Sequence, residues 1–160
     1  MAYHHDLLQQ AFDLLHKSPA NPNQADLRRS VSAAYYSLFH LLISETITHW
    51  NLESSRNALG RMFEHSAIKR ASARISDSKQ FPFSGENPAV VVNLKKVADS
   101  FSQLQDRRKI ADYDNATAWT HTEALRDVTT AAKAFATWQS IKHEKIAQDY
   151  LVSLLIKTRD

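Results

Sequence analysis

Apolar positions recur along most of this chain at steps of three and four, the spacing of one helix face. Leu7, Leu8, Ala11, Phe12, Leu14 and Leu15 predict a first helix over about residues 3–17. Ser18-Pro19-Ala20-Asn21-Pro22-Asn23 ends it, because proline lacks an amide N–H and clashes with the preceding turn. A second helix is predicted from about Gln24 to Trp50, with Val31, Tyr35, Leu38 and Leu42 toward the core. Another line runs along the same helix: Arg29, Ala33, Tyr36 and His40, advancing by four, three and four. It is polar and aromatic where a plain bundle carries leucine or lysine.

Downstream, Leu59, Met62, Phe63 and Ala67 predict a third helix from Arg56 to about Arg74, weakened at Gly60 by about 1 kcal/mol relative to alanine. Residues 76–88, with Pro82, Gly85 and Pro88 among Ser76, Ser78 and Ser84, read as a loop. Phe81 and Phe83 predict that this loop packs on the body of the protein. Asn87-Pro88 is a helix start, asparagine capping an early N–H and proline tolerated at the first position. The fourth helix carries Val90, Leu94, Val97, Phe101 and Leu104 inward. The next residue on that stripe is Arg108, a charge where the pattern assigns the interior.

Residues 113–119 form a short break, and Thr120-His121-Thr122-Glu123 fits a capping box. Val128, Ala131, Phe135 and Trp138 then face inward. Ile146, Tyr150, Leu151, Leu154 and Leu155 mark a last helical stretch from Ile141 to Lys157, and the pattern leaves open whether these are one helix or two.

Composition narrows the fold class. The 160 residues suit one domain over the whole chain, and 43% hydrophobic with 23% charged residues is ordinary for a packed core. Only Gly60 and Gly85 are glycine. Sheet proteins need glycine at tight turns with positive φ, so long helices with few loops are expected. The predicted class is all-α, an up-and-down bundle of about five helices. The absence of cysteine excludes disulfides and thiolate metal sites. No signal peptide is visible in Met1-Ala2-Tyr3-His4-His5-Asp6, and no stretch approaches about 18 apolar residues, so no membrane span and a cytoplasmic location are expected.

Net charge is only +3, but residues 56–79 carry Arg56, Arg61, Lys69, Arg70, Arg74 and Lys79 against Glu64 and Asp77. That excess reads either as a solvated helix face or as an attractor of polyanions. Despite eight histidines, no metal-ligand spacing such as His-Glu-x-x-His occurs, and two glycines cannot build a nucleotide-binding glycine loop. No metal and no cofactor are expected. Trp50, Trp119 and Trp138 read as core or interface residues in preference to base-stacking platforms.

The chemistry concentrates in two segments. Arg108 and Asp112 are four apart on one helix face and can pair. The pair reads either as a half-buried ion pair fixing helix register or as part of a pocket in which Arg108 holds a phosphate-like anion. The other segment is the Arg29/Tyr36/His40 line.

The stretch Arg28–Leu42 (RRSVSAAYYSLFHLL), followed by Arg107–Asp114 (RRKIADYD), resembles the HEPN family, in the branch with Ala-Tyr-Tyr-x-x-Phe-His and Arg-x-x-Ala-Asp-Tyr motifs. The resemblance covers roughly residues 5–140, and Arg61–His65 is similar to the same branch. It implies a helical bundle that often dimerises. Family members include metal-independent endoribonucleases, partners of small nucleotidyltransferases in toxin–antitoxin pairs, and non-catalytic binding domains. The ribonuclease members carry arginine, four to six residues, then histidine. Here the window from Arg108 holds Tyr113, Asp114 and Asn115, and from Arg107 it holds Asp112, Tyr113 and Asp114; the next histidine is His121. Self-cleavage of RNA needs a group titrating near neutrality, which tyrosine (about 10) and arginine (above about 12) are not. The expected function is therefore a non-catalytic or regulatory HEPN-like domain that binds RNA, a nucleotide or a protein partner. Its binding residues are expected to be Arg29, Tyr36, His40, Arg107, Arg108, Asp112 and Tyr113. The alternatives are an endoribonuclease toxin with a variant site drawn from Arg108, His40 and Tyr113, with His40 facing Arg108 across the bundle, and a purely structural dimerisation module. A homodimer and a nucleotidyltransferase-type partner are the protein associations the resemblance implies.

Overall fold

The computed structural model describes residues 2–84 and 87–156, and within them the ordered elements are seven helices and no strand. They are α1 (Tyr3–His16), α2 (Gln24–Ile47), α3 (Glu53–Gly60), α4 (His65–Ser76), α5 (Pro88–Tyr113), α6 (His121–Ile141) and α7 (Lys145–Ser153). Gly85 of the expected loop and Lys157, the expected end of the last helical stretch, lie outside the described residues.

The helix starts follow the capping chemistry of the sequence. The Asn23 side chain accepts from the Asp26 amide at 2.8 Å, and Asn87 accepts from the Ala89 amide at 2.9 Å with Pro88 in the first turn. The capping box at α6 is complete: Thr120 accepts from the Glu123 amide and Glu123 accepts from the Thr120 amide. Each cap contributes about 1 kcal/mol by satisfying an amide the helix cannot.

Two divisions raise the helix count above about five. The predicted third helix is two, α3 and α4, broken across residues 61–64. Phe63 is buried inside the break and Met62 is 55% exposed, where both were expected inward. The break lets α4 turn Ala67, Ile68, Ala71 and Ile75 to the core, whereas α3 buries no residue at all. The stretch after Thr120, which the pattern left open as one helix or two, is two, α6 and α7, separated at residues 142–144. In addition, α2 stops at Ile47 and leaves Trp50 54% exposed, while Trp119 and Trp138 are buried.

Helices α2, α5 and α6 pack on one another, α1 lies on α2 and α6, and α4 lies on α5. One hydrophobic cluster draws on every helix except α3. Val31, Tyr35, Leu38 and Leu42 of α2 are all buried, as are Leu94, Val97, Phe101 and Leu104 of α5. Each such side chain contributes roughly 1.5–3 kcal/mol. Arg108 continues the α5 stripe and is also buried, 8% exposed, without that gain. The Tyr150 hydroxyl and Ser72 Oγ, 2.7 Å apart in the core, join α7 to α4. Phe81 and Phe83 meet edge-on at 5.6 Å and pack on the core, so the segment before α5 is anchored as its aromatic residues predict. Among the described residues no helix is long and apolar enough to cross a membrane.

Candidate functional site

Three helices converge on Arg108. It sits near the end of α5 with its guanidinium carbon 5.0 Å from the ring centre of Tyr35 and 5.7 Å from that of Tyr36, both on α2. A cation over aromatic faces gains electrostatic attraction that partly replaces lost water. Its nearest carboxylate, Asp112, stands 3.7 Å from Nη1, too far for a hydrogen bond. Arg108 Nε is buried and has no acceptor among the described residues. The charge is thus held by rings and only loosely compensated. Ser32 Oγ of α2 reaches the Asp112 carboxylate at a long 3.4 Å, linking α2 to α5.

The third helix brings His65, the first residue of α4. Its Nδ1 lies 2.5 Å from the Tyr35 hydroxyl, and its ring stacks on Phe39 at 4.2 Å and 18°. Burial, then the Arg108 charge and His40, lower the His65 pKa, so the ring is neutral at physiological pH. Burial raises the Tyr35 pKa, opposed by the Arg108 charge. Which of the Tyr35 hydroxyl and His65 Nδ1 donates depends on the His65 tautomer.

Along the outer side of α2 the Arg29/Ala33/Tyr36/His40 line opens into a concavity of about 520 Å³ against α1, where Tyr3, Leu7 and Leu14 face it. A second concavity of about 540 Å³ lies toward the end of α5 and is lined by Arg29, Ser32, Tyr36, Asp112, Tyr113 and Asn115 among others. The two share Arg29, Ser32 and Tyr36, and so adjoin along α2. Arg29 is exposed at their junction, with no ion pair to any described residue, and Tyr113 is 75% exposed at the rim.

Of the residues expected at a site, the fold gathers Arg29, Tyr36, His40, Arg108, Asp112 and Tyr113 on this side. Arg107 turns away. One residue along a helix rotates the side chain by about 100°, which takes it toward α6. There its Nε donates to the buried Asp127 at 2.8 Å, and its guanidinium lies 4.3 Å over the Trp119 ring. Arg28 lines the second concavity, but its guanidinium is already engaged. Its guanidinium donates to the carbonyls of Ala111 (2.9 Å), Asp114 (2.8 Å) and Thr117 (2.7 Å), tying the break after α5 to α2. Gln24 does the same through the Trp119 backbone, donating at 2.7 Å and accepting at 2.8 Å.

His40 has its ring against Tyr3 at 4.8 Å and Tyr36 at 6.5 Å, and its pKa is lowered by burial alone, so it belongs to the first concavity. The histidine beside Arg108 is His65. Sequence periodicity did not single it out, because it follows the break at 61–64. Its only trace was its place at the end of the Arg61–His65 segment. Tyr35 was legible only as a core residue, and Tyr3 only as the first residue of α1.

Among the described residues no group of three or more histidine, aspartate or glutamate side chains is placed to hold a metal ion. Comparison with protein-family models, with curated proteins and with solved structures finds no match to this chain.

Proposed function

We propose that this chain is a HEPN-like, up-and-down helical domain that binds RNA without cleaving it, holding a backbone phosphate at the Arg108 face. One observation carries the reading: a buried guanidinium whose Nε has no acceptor and whose nearest carboxylate is 3.7 Å away. A buried cation left this loosely paired is costly, and an entering anion repays the cost. The planar fork of arginine matches a phosphate in two-point contact. Asp112 occupies the ground an incoming phosphate oxygen needs, and Ser32 and Arg29 stand at the entrance. The non-catalytic part of the reading is supported by the window four to six residues after Arg108, where Tyr113, Asp114 and Asn115 stand and no histidine does.

The test is fluorescence anisotropy of a labelled RNA oligonucleotide over a salt series. Wild type is expected to bind with affinity falling steeply as salt rises. Arg108→Gln is expected to weaken binding about tenfold or more. Salt-insensitive binding, or equal binding by Arg108→Gln, sinks the proposal.

A second reading, an endoribonuclease with a variant site, is favoured by the presence of a neutral histidine next to Arg108. It expects RNA cleavage in the presence of chelator that His65→Ala abolishes. Intact RNA after prolonged incubation with wild type rules it out.

A further inference from the structure

Six basic residues fall between positions 56 and 79, and the fold sorts them. Arg56 donates to the Trp50 carbonyl, and Lys69 pairs with Asp106. Arg70 and Arg74 have no ion-pair partner among the described residues. They stand four apart on α4, so they share a face with their Cβ atoms about 6 Å apart. Like charges at that spacing oppose the helix slightly, and an anion between them removes the opposition.

What separates this pair from an ordinary solvated face is the concavity it lines, of about 390 Å³. Ala67, Arg70, Arg74 and the C-cap Asp77 follow one another along α4 at steps of three, four and three, on the side away from the buried Ile68, Ala71 and Ile75. Ala73 and, from the segment after α7, Ile156 complete its apolar part. Ile156 is 55% exposed, an aliphatic side chain left in water unless a ligand covers it. None of these residues lines either concavity beside α2.

The lining also selects the charge of its ligand. Asp77 does not neutralise the arginines; its Oδ1 accepts from the Lys79 amide at 2.9 Å, within its own turn. Two cations and one carboxylate suit a single negative charge, whereas a phosphate chain is repelled by Asp77. No aromatic ring lines the concavity, so it offers a base nothing to stack on. The guanidinium fork matches a carboxylate at two points, and the alanine and isoleucine side chains suit a saturated carbon chain.

We infer that this concavity binds an aliphatic carboxylate, its charge between Arg70 and Arg74 and its carbon chain against Ala67, Ala73 and Ile156. A free small acid and the C-terminal residue of another protein offer the same chemistry. The site is separate from the Arg108 face and does not depend on what that face binds.

The experiment titrates the full chain with hexanoate, 1-hexanol, acetate and inorganic phosphate, reading backbone amide shifts by two-dimensional NMR. Hexanoate is expected to shift amides of α4 and of residues near Ile156, and to bind about tenfold or more tighter than the other three. Arg70→Gln with Arg74→Gln, and separately Ile156→Asp, are each expected to weaken hexanoate about tenfold, whereas Arg61→Gln, exposed and outside the concavity, leaves it unchanged. Acetyl-Gly-Gly-Leu, as the free acid and as its amide, separates the two sources. A free acid that binds at least as tightly as hexanoate, with a much weaker amide, identifies a chain end; hexanoate binding without peptide binding identifies a small acid. No shifts at α4, equal binding of hexanol, acetate or phosphate, or full affinity in the double arginine variant overturns the proposal.

Discussion

Arg107 and Arg108 are neighbours in the chain, both at least two-thirds buried, yet their replacement by methionine is expected to have different consequences. Arg107→Met removes a 2.8 Å hydrogen-bonded ion pair and the contact over Trp119, and strands Asp127, whose side chain is 9% exposed. Leaving a buried carboxylate without its cation costs roughly 3 kcal/mol. Proton uptake by Asp127, whose pKa burial already raises, limits that cost. Arg108→Met loses two cation–ring contacts, about 1 kcal/mol each, and a loose ion pair of about 0.5 kcal/mol. It also removes a buried, unpaired Nε, which relieves about 1–3 kcal/mol. The net change at Arg108 is within about 1 kcal/mol of zero. The two variants should therefore differ by about 2–3 kcal/mol. At this chain length 1 kcal/mol moves the melting midpoint by about 2–4 °C, so a gap of roughly 5–10 °C is expected. Thermal unfolding followed by circular dichroism at neutral pH measures it, and acidification should narrow the gap as Asp127 in Arg107→Met takes up its proton. Equal losses of midpoint, or a larger loss for Arg108→Met, would refute the assignment of Arg107 as structural and Arg108 as held open for a ligand.

His4, His40 and His65 all have pKa values lowered by burial from 6.5, so the unfolded chain binds protons first on acidification. Their contribution to stability is complete above 6.5 and is lost as pH falls below it; the urea midpoint should be lower at about pH 5.5 than at about pH 7.5, and an unchanged or higher midpoint contradicts this. Gly60→Ala places a methyl 3.9 Å from Ile43 and Ile47, ordinary contact distance, at the end of α3. It should stabilise by about 0.5 kcal/mol, read as a small rise in urea midpoint, and a fall in midpoint counts against the packing described for α3.

Much of the fold is legible in the periodic pattern because one-sided burial leaves a record in residue type. The α2 and α5 stripes, the cap at Asn87 and the capping box at Thr120 all appear where local chemistry requires them. The division at 61–64 was hidden because Met62 and Phe63 satisfy a continuous helical pattern as well as they do a broken one. What separates the two cases is which of them finds a core contact, and that is a property of α2 and α5, not of residues 56–74. The α6–α7 division was left open for the same reason.

The same distinction separates two kinds of statement about the site. By itself the sequence determined that Arg108 points inward, since its position on the Leu94–Leu104 stripe follows from 3.6 residues per turn. It also determined that Arg29, Tyr36 and His40 share one line. Which histidine meets Arg108, and which of two adjacent arginines is already neutralised, only the tertiary structure decided. Those outcomes depend on partners from other helices: His65 from α4 and Asp127 from α6, 43 and 20 residues distant in sequence from Arg108 and Arg107 respectively. Local periodicity fixes the direction of a side chain from its own helix axis. It carries no information about what another helix places in that direction.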